Sequence, residues 1–385
     1  MRMMHRRMAL ALWASGVLGA TLLGGCGPSV PDTLRIGVLV PLTGPQALRG
    51  KDLLNGAQLA ADQINASTYK INGKNVKIEI VSVDDKSDLE TAKKGAQALM
   101  DGGACAIIGS TTTPETAAVN PMITARGLPH LFTSTTASLM GADGGNRFRL
   151  LASDALQGRA MGMYAVQTLR AQRIAAVVES ADYGRGLSKP FMGALQEGGK
   201  QLVATVEVDT KGDVTQDMAR RLKAAQPDLV VVLAREPQLK SLFKALAEVE
   251  FTDVTVLGSN AVRNKNVAGM NIPVRALYAT ASAIDASEFP SGRLFLAAFN
   301  DKFKGDPVWG AHYAYDGVYA LADAARRANS VKGRDLVAKL RSIEPQAPVN
   351  QQMRFDANGE QVYAGIAVYK AERGRWQPEM RSNAW

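Results

Sequence analysis

The chain predicts an α/β fold of two doubly wound, Rossmann-like lobes around a hinge. Short runs of β-branched and aliphatic residues alternate with helical periods from Leu34 onward, the pattern of parallel sheets covered by helices on both faces. The series starts afresh near Asp154, so the sheet is built twice. The 385 residues, 46% hydrophobic and 21% charged, suffice for two domains of about 150 residues each.

The first series opens with a strand over Leu34 to Val40. Leu53, Leu54, Ala57, Ala60, Ala61 and Ile64 then recur at helical spacing, and Val76, Ile78 and Ile80 alternate with polar residues as a second strand. A helix over Leu89 to Met100, a strand over Cys105 to Ile108, a helix from about Glu115 to Ala125 and a strand over His130 to Thr133 complete one lobe. The second series runs as helix Asp154 to Leu169, strand Ile174 to Val178, helix Leu187 to Gly198, strand Leu202 to Val208 and helix Val214 to Ala225. Strand Leu229 to Leu233, helix Gln238 to Val249 and strand Val254 to Leu257 follow, before helices at Arg293 to Phe303, Ala311 to Ala328 and Asp335 to Arg341. Two such halves imply a cleft, with ligands bound beyond the carboxyl ends of the strands.

Residues 1–25 read as an export signal: Arg2, Arg6 and Arg7 precede an apolar run from Met8 to Leu23. That run is short and broken by Gly, whereas a spanning helix needs about 20 apolar residues. Leu23-Gly24-Gly25-Cys26 resembles the bacterial lipobox, which implies that Cys26 is lipidated, becomes the new N-terminus and anchors the chain to a membrane through residues 26–33, a tether holding Gly27, Pro28, Ser29 and Pro31. The formal charge of +9 falls by three when Arg2, Arg6 and Arg7 leave. Arg220, Arg221, Lys223, Arg326 and Arg327 sit on amphipathic helices and read as solvated faces, not as a nucleic-acid surface.

With Cys26 acylated, Cys105 has no partner, and its apolar surroundings make it a buried, inert thiol. Catalysis finds little support. Outside the leader the histidines are His130, read as a strand residue, and His312, read as a helix-face residue. Metal-ligand spacing, a phosphate loop and a nucleophile elbow are all missing, so neither an enzyme nor a cofactor is expected.

Seven strings fall in order along the chain: Gly37-Val38-Leu39-Val40-Pro41-Leu42-Thr43-Gly44-Pro45; Gly56-Ala57-Gln58-Leu59-Ala60 with Ile64-Asn65; Asp84-Asp85; Ile107-Ile108-Gly109; Tyr183-Gly184-Arg185-Gly186; Tyr315-Asp316-Gly317; and Phe355-Asp356-Ala357-Asn358-Gly359-Glu360. Together they resemble the leucine/isoleucine/valine-binding family of ABC importers, with the type I periplasmic binding fold. The resemblance implies lobes over 34–152 plus 284–360 and over 153–283 plus 361–385. It also implies a small-molecule ligand, an amino acid or related carboxylate, and a permease partner. In that family the first lobe holds the ligand's carboxylate and ammonium. Thr113, at a helix start, matches the hydroxyl at the carboxylate, where free N–H groups favour an anion. Ser134 and Thr136 match the backbone-carbonyl and hydroxyl contacts, with Thr135 as the alternative. Tyr183 matches the second-lobe aromatic that covers the ligand. Asn260 stands where amino-acid binders carry the acid for the ammonium, and Glu236 is the candidate substitute. Arg49 falls near the cleft mouth, where exposure to solvent is expected.

The same fold also serves ligand-sensing or regulatory lipoproteins that act on partner proteins, and importer genes beside this one would separate the two readings. Lipidation at Cys26 is tested by intact mass of the membrane-extracted protein. A Cys26→Ser form that still partitions with membranes as a processed species would refute it.

Overall fold

A computed structural model describes residues 30–44, 46–140, 145–382 and 385. Cys26 and the leader lie outside them. The first series gives β1 (Thr33–Val40), α1 (Ala47–Ala66), the short pair β2 (Lys70–Ile71) and β3 (Lys74–Asn75), β4 (Lys77–Asp84), α2 (Leu89–Asp101), β5 (Ala106–Gly109), α3 (Thr113–Ala125), β6 (His130–Phe132) and β7 (Arg147–Arg149). Its main sheet has the order β4-β1-β5-β6-β7, with every pair parallel.

The second series gives α4 (Asp154–Met163), which runs on as a π-helical turn over Tyr164–Thr168, then β8 (Ile174–Glu179), α5 (Asp182–Glu197), β9 (Leu202–Val208), α6 (Gln216–Ala224), β10 (Leu229–Leu233), α7 (Glu236–Glu248), β11 (Thr255–Gly258), α8 (Lys265–Ala268) and β12 (Ala276–Ala281). Helices α9 (Gly292–Phe303), α10 (Ala311–Ala328) and α11 (Gly333–Ser342) follow, and the chain ends in β13 (Ile366–Glu372) and β14 (Arg375–Ser382). The second sheet has the order β9-β8-β10-β11-β12-β13-β14. Its strands are parallel up to β12, and β13 and β14 join antiparallel.

Local chemistry explains these elements. β10, Leu-Val-Val-Val-Leu, is buried throughout, as a central parallel strand between two helix layers must be. Helix α2 starts where the Asp88 carboxylate accepts the Thr91 N–H at 2.8 Å, and the Ser153 and Thr215 hydroxyls cap α4 and α6 in the same way. Helices α9 to α11 return to the first sheet: Phe295, Phe299, Val318, Leu321, Leu336 and Leu340 share one apolar core with Leu34, Ile36 and Val38 of β1 and Leu53 of α1. Gly56 lets α1 and α10 meet closely, since a Cβ there would lie 2.0 Å from the Ala311 carbonyl oxygen.

Several elements differ from expectation. The strand β7 is only three residues long and begins and ends with an arginine, so it carries no apolar run to mark it. The small residues of β12 hide it similarly. Tyr183 sits in the first turn of α5, not in a loop before it; Gly184 and Gly186 mask the start of the helix, and no side chain caps it.

The end of β5 is held by a geometric constraint. Gly109 has φ +113°, and a Cβ there would stand 1.8 Å from the Leu39 carbonyl oxygen of β1. Gly109→Ala should therefore lose at least about 1–3 kcal/mol from backbone strain alone. Urea denaturation measures this, and an unchanged midpoint would show that the turn relaxes freely.

Candidate functional site

If the hairpin of β2 and β3 is set aside, each sheet has a doubly wound order that reverses beside its first strand, between β1 and β5 and between β8 and β10. Loops on the two sides of such a reversal diverge and leave a crevice at the carboxyl ends. Both crevices open into one cleft of about 490 Å³. From the first sheet it is lined by Gln46, Arg49, Thr111 to Pro114 and Thr133 to Thr135; from the second come Tyr183, Arg235, Asn260 and Arg263. A hollow of about 690 Å³ lies at the opposite, amino ends of the first sheet, around Arg35 and Arg126. Those arginines already pair with Glu79 and Asp101, and among the described residues no buried, unpartnered polar side chain lines that hollow.

The cleft floor on the first sheet is a net of hydroxyls. Thr113, the first residue of α3, has its Oγ1 2.8 Å from Thr136 Oγ1. Thr116, one turn on, has its Oγ1 2.7 Å from Ser134 Oγ. The Thr111 and Thr133 hydroxyls are buried against the cleft with no hydrogen-bond partner. The cap residue Thr112 makes no side-chain bond to the first turn of α3, so the N–H groups of that turn have no side-chain cap. Unpartnered hydroxyls beside a helix N-terminus suit a bound anion.

Beneath this net lies Arg149, fully buried on β7. Its Nε and Nη2 donate to Glu360 at 2.9 and 3.2 Å, Nη2 also reaches the Thr136 carbonyl at 3.0 Å, and Nη1 takes the Ser134 carbonyl. Two expected contacts change accordingly. Ser134 lines the cleft, but its carbonyl serves Arg149 and its hydroxyl Thr116. Thr136 does not line the cleft; Thr135 does, and Thr136 instead supports Thr113 from below.

On the second sheet, the Tyr183 hydroxyl stands 2.6 Å from Asn260 Oδ1 and 2.8 Å from Ser259 Oγ. Burial pushes the phenol well above its ordinary pKa. Arg235 stacks on the Tyr183 ring, 4.7 Å from its centroid, and pairs with the buried Glu179. Gln157 of α4 holds Asn260: Oε1 accepts the Asn260 backbone N–H at 2.7 Å, and Nε2 donates to Asn260 Oδ1 at 3.1 Å.

Glu236 does not enter the cleft. It opens α7, where it accepts from Asn264 Nδ2 at 2.6 Å and pairs with Lys240. The residue before it, Arg235, occupies the cleft instead. Sequence reasoning also missed Arg49 as a site residue. It lies in the first turn of α1, half-buried, its guanidinium 4.3 Å from the Trp309 ring centroid. Trp309 is held there because the buried Asp52 carboxylate accepts the N–H groups of Val308 and Trp309, both at 2.7 Å. No local pattern links residues so far apart in sequence; an isolated tryptophan ahead of a helix was the available signal.

The remaining reactive side chains are structural. His130 sits in the core between Asn120 and the Gly109 carbonyl, lowered to about 4 by burial. His312 is buried against Phe289 and Tyr313 and lowered to about 3, also by burial. Burial pushes the Cys105 thiol up to about 12. Among the described residues, no group of three or more metal-ligating side chains is assembled, and no helix is long and apolar enough to cross a membrane.

A family model described as periplasmic binding protein matches residues 33–375. The chain belongs to that family. A Leu/Ile/Val-binding protein homolog of Brucella abortus (strain 2308) is 25% identical over 361 residues, covering 94% of this chain and 96% of the relative. Two solved structures share the fold. The branched-chain amino acid transporter substrate-binding protein of Streptococcus pneumoniae, in complex with isoleucine, matches with a TM-score of 0.71 at 24% identity, over 91% of this chain and 99% of that one. A solute-binding protein of an ABC transporter from Rhodopseudomonas palustris BisB5, in complex with 3,4-dihydroxybenzoic acid, matches with a TM-score of 0.72 at 22% identity, over 91% and 97%. This periplasmic binding protein therefore has the type I fold expected from its sequence.

The Arg149 net generates a stability prediction. Removing the buried guanidinium leaves the buried Ser134 and Thr136 carbonyls and the partly exposed Glu360 carboxylate without their donor, so Arg149→Met should cost about 1–3 kcal/mol. Arg149→Lys should recover little, because an ammonium cannot span the same forked set of acceptors. Chemical denaturation of both variants checks this, and parental stability in Arg149→Lys would exclude the forked geometry as the source.

Proposed function

We propose that the chain is an exported, lipid-anchored receptor that captures a small carboxylate-bearing solute and delivers it to an ABC importer permease. The observation that carries this reading is the cleft floor, where the unpartnered Thr111 and Thr133 hydroxyls, the start of α3 and Arg49 together provide donors and positive charge for an anion. The relatives support it: one is a Leu/Ile/Val-binding protein homolog, and the two solved neighbours hold isoleucine and 3,4-dihydroxybenzoic acid, which share a carboxylate. The role is binding and release without chemical change, in keeping with histidines buried in cores away from the cleft. Cys26, processed and acylated, holds the protein at the membrane beside its permease.

Function follows from closure. Residues 34–152 plus 284–360 form one lobe and residues 153–283 plus 361–385 the other, and the solute, touching both, favours the conformation in which both contacts exist. Tyr183 and Arg235 approach from the second lobe and shut the solute from water.

A thermal-shift panel of amino acids, amides and organic acids should identify carboxylates that raise the melting temperature, because a ligand of the folded state adds stability. Small-angle scattering at saturation should then show a smaller radius of gyration. Binding confirmed by calorimetry with an unchanged radius would sink the closure step.

A further inference from the structure

We infer that the solute is a carboxylate without an ammonium group, a deaminated acid in preference to an amino acid. The inference rests on the carboxylate reading above and narrows it. A buried ammonium needs a carboxylate, or several acceptors, to offset its desolvation. The cleft lining holds Arg49, Arg235 and Arg263 and, among the described residues, no Asp or Glu. Arg235 and Arg263 are neutralised by Glu179 and Asp285. Arg49 has no carboxylate partner among the described residues, so the lining is left with one uncompensated positive charge.

Asn260 sharpens the case. Gln157 Oε1 accepts a backbone N–H, which fixes Gln157 Nε2 as a donor and Asn260 Oδ1 as its acceptor. The same Oδ1 receives the Tyr183 hydroxyl. Oδ1 thus meets two donors inside the protein, the single Tyr183 proton being shared with Ser259 Oγ at 2.8 Å, and the atom of Asn260 left over by these contacts is its Nδ2 donor. The position that could have met an ammonium thus offers protons instead. Glu236, turned to Lys240 and Asn264, does not compensate. Besides Glu179 and Asp285, Asp154 lies near, fully buried, with Oδ2 unpartnered and Oδ1 3.4 Å from Gln157 Nε2. It does not line the cleft, and its N–H donates to the Thr135 carbonyl at 2.8 Å.

Calorimetry on the mature chain decides the matter with matched pairs: phenylalanine against 3-phenylpropanoate, and leucine against 4-methylpentanoate. The deaminated member should bind roughly tenfold or more tightly, the penalty of an unpaired buried charge. Arg49→Gln should weaken the acid by a similar factor, and the isosteric Asn260→Asp should narrow or invert the gap within each pair. Equal or tighter binding of the amino acid overturns the inference while the carboxylate reading stands; if Asp154→Asn then removes that preference, the ammonium lies at Asp154. Binding of the acid unaltered by Arg49→Gln overturns the assignment of the uncompensated charge. If no carboxylate binds and a sugar or amide does, the inference and the reading beneath it fail together.

Discussion

The cleft rests on a buried cation. Arg149 brings a full positive charge into the interior of the first lobe, a placement tolerated because Glu360 and the carbonyls of Ser134 and Thr136 surround it. Those partners come from separate parts of the chain. Glu360 follows the return helices, and Ser134 and Thr136 lie in the loop after β6, so one side chain fixes that loop against the segment that closes the lobe. Through Thr136 the constraint reaches Thr113 and the start of α3. The hydroxyl floor is therefore positioned from beneath, and its ligand-facing groups are left free.

The second lobe solves the same problem with a neutral group. Gln157 joins the Asn260 backbone, Thr280 and Ser282, and so ties the first helix of its lobe to the ends of β11 and β12. An amide has both donors and acceptors, and it can saturate a mixed set of partners without bringing charge. The arginines on this wall of the cleft come already paired, Arg235, which stacks on Tyr183, with Glu179 and Arg263 with Asp285. The two walls differ in consequence: one presents hydroxyls and an unpaired Arg49, the other an aromatic face and an amide donor.

The alternation of strands and helices was legible because parallel sheets need continuous apolar runs, and β10 and α10 fall where periodicity placed them. β7 was not legible, since a single Phe148 between two arginines leaves no apolar signature, yet it carries Arg149. Thr113, Ser134, Tyr183 and Asn260 were expected around the cleft and line it. Thr136 and Glu236 were misplaced for a common reason: a strand end or a helix start can be read from sequence to within a residue or two, while a shift of one residue exchanges a cleft-lining side chain for one beneath or behind it. Thr135, the alternative expected for that contact, lines the cleft in place of Thr136, and Arg235 in place of Glu236, each by such a step. Arg49 was expected at the cleft mouth but in solvent; its stacking on Trp309 lay beyond reach because it depends on Asp52 holding a loop from a distant part of the chain.

That single-residue sensitivity explains how one scaffold can carry different specificities. The groups that set the backbone of the cleft, Arg149 and Gln157, are satisfied within the protein and make no demand on the solute. The groups that face the solute are side chains at strand ends and helix starts, where an exchange such as acid for amide leaves the scaffold's hydrogen bonds intact. At Asn260 the exchange keeps an acceptor for Tyr183 and Gln157 and changes only the remaining atom, from a second carboxylate oxygen to an N–H donor. A substitution of that kind retains the internal partners and changes the charge that the cleft presents to its solute.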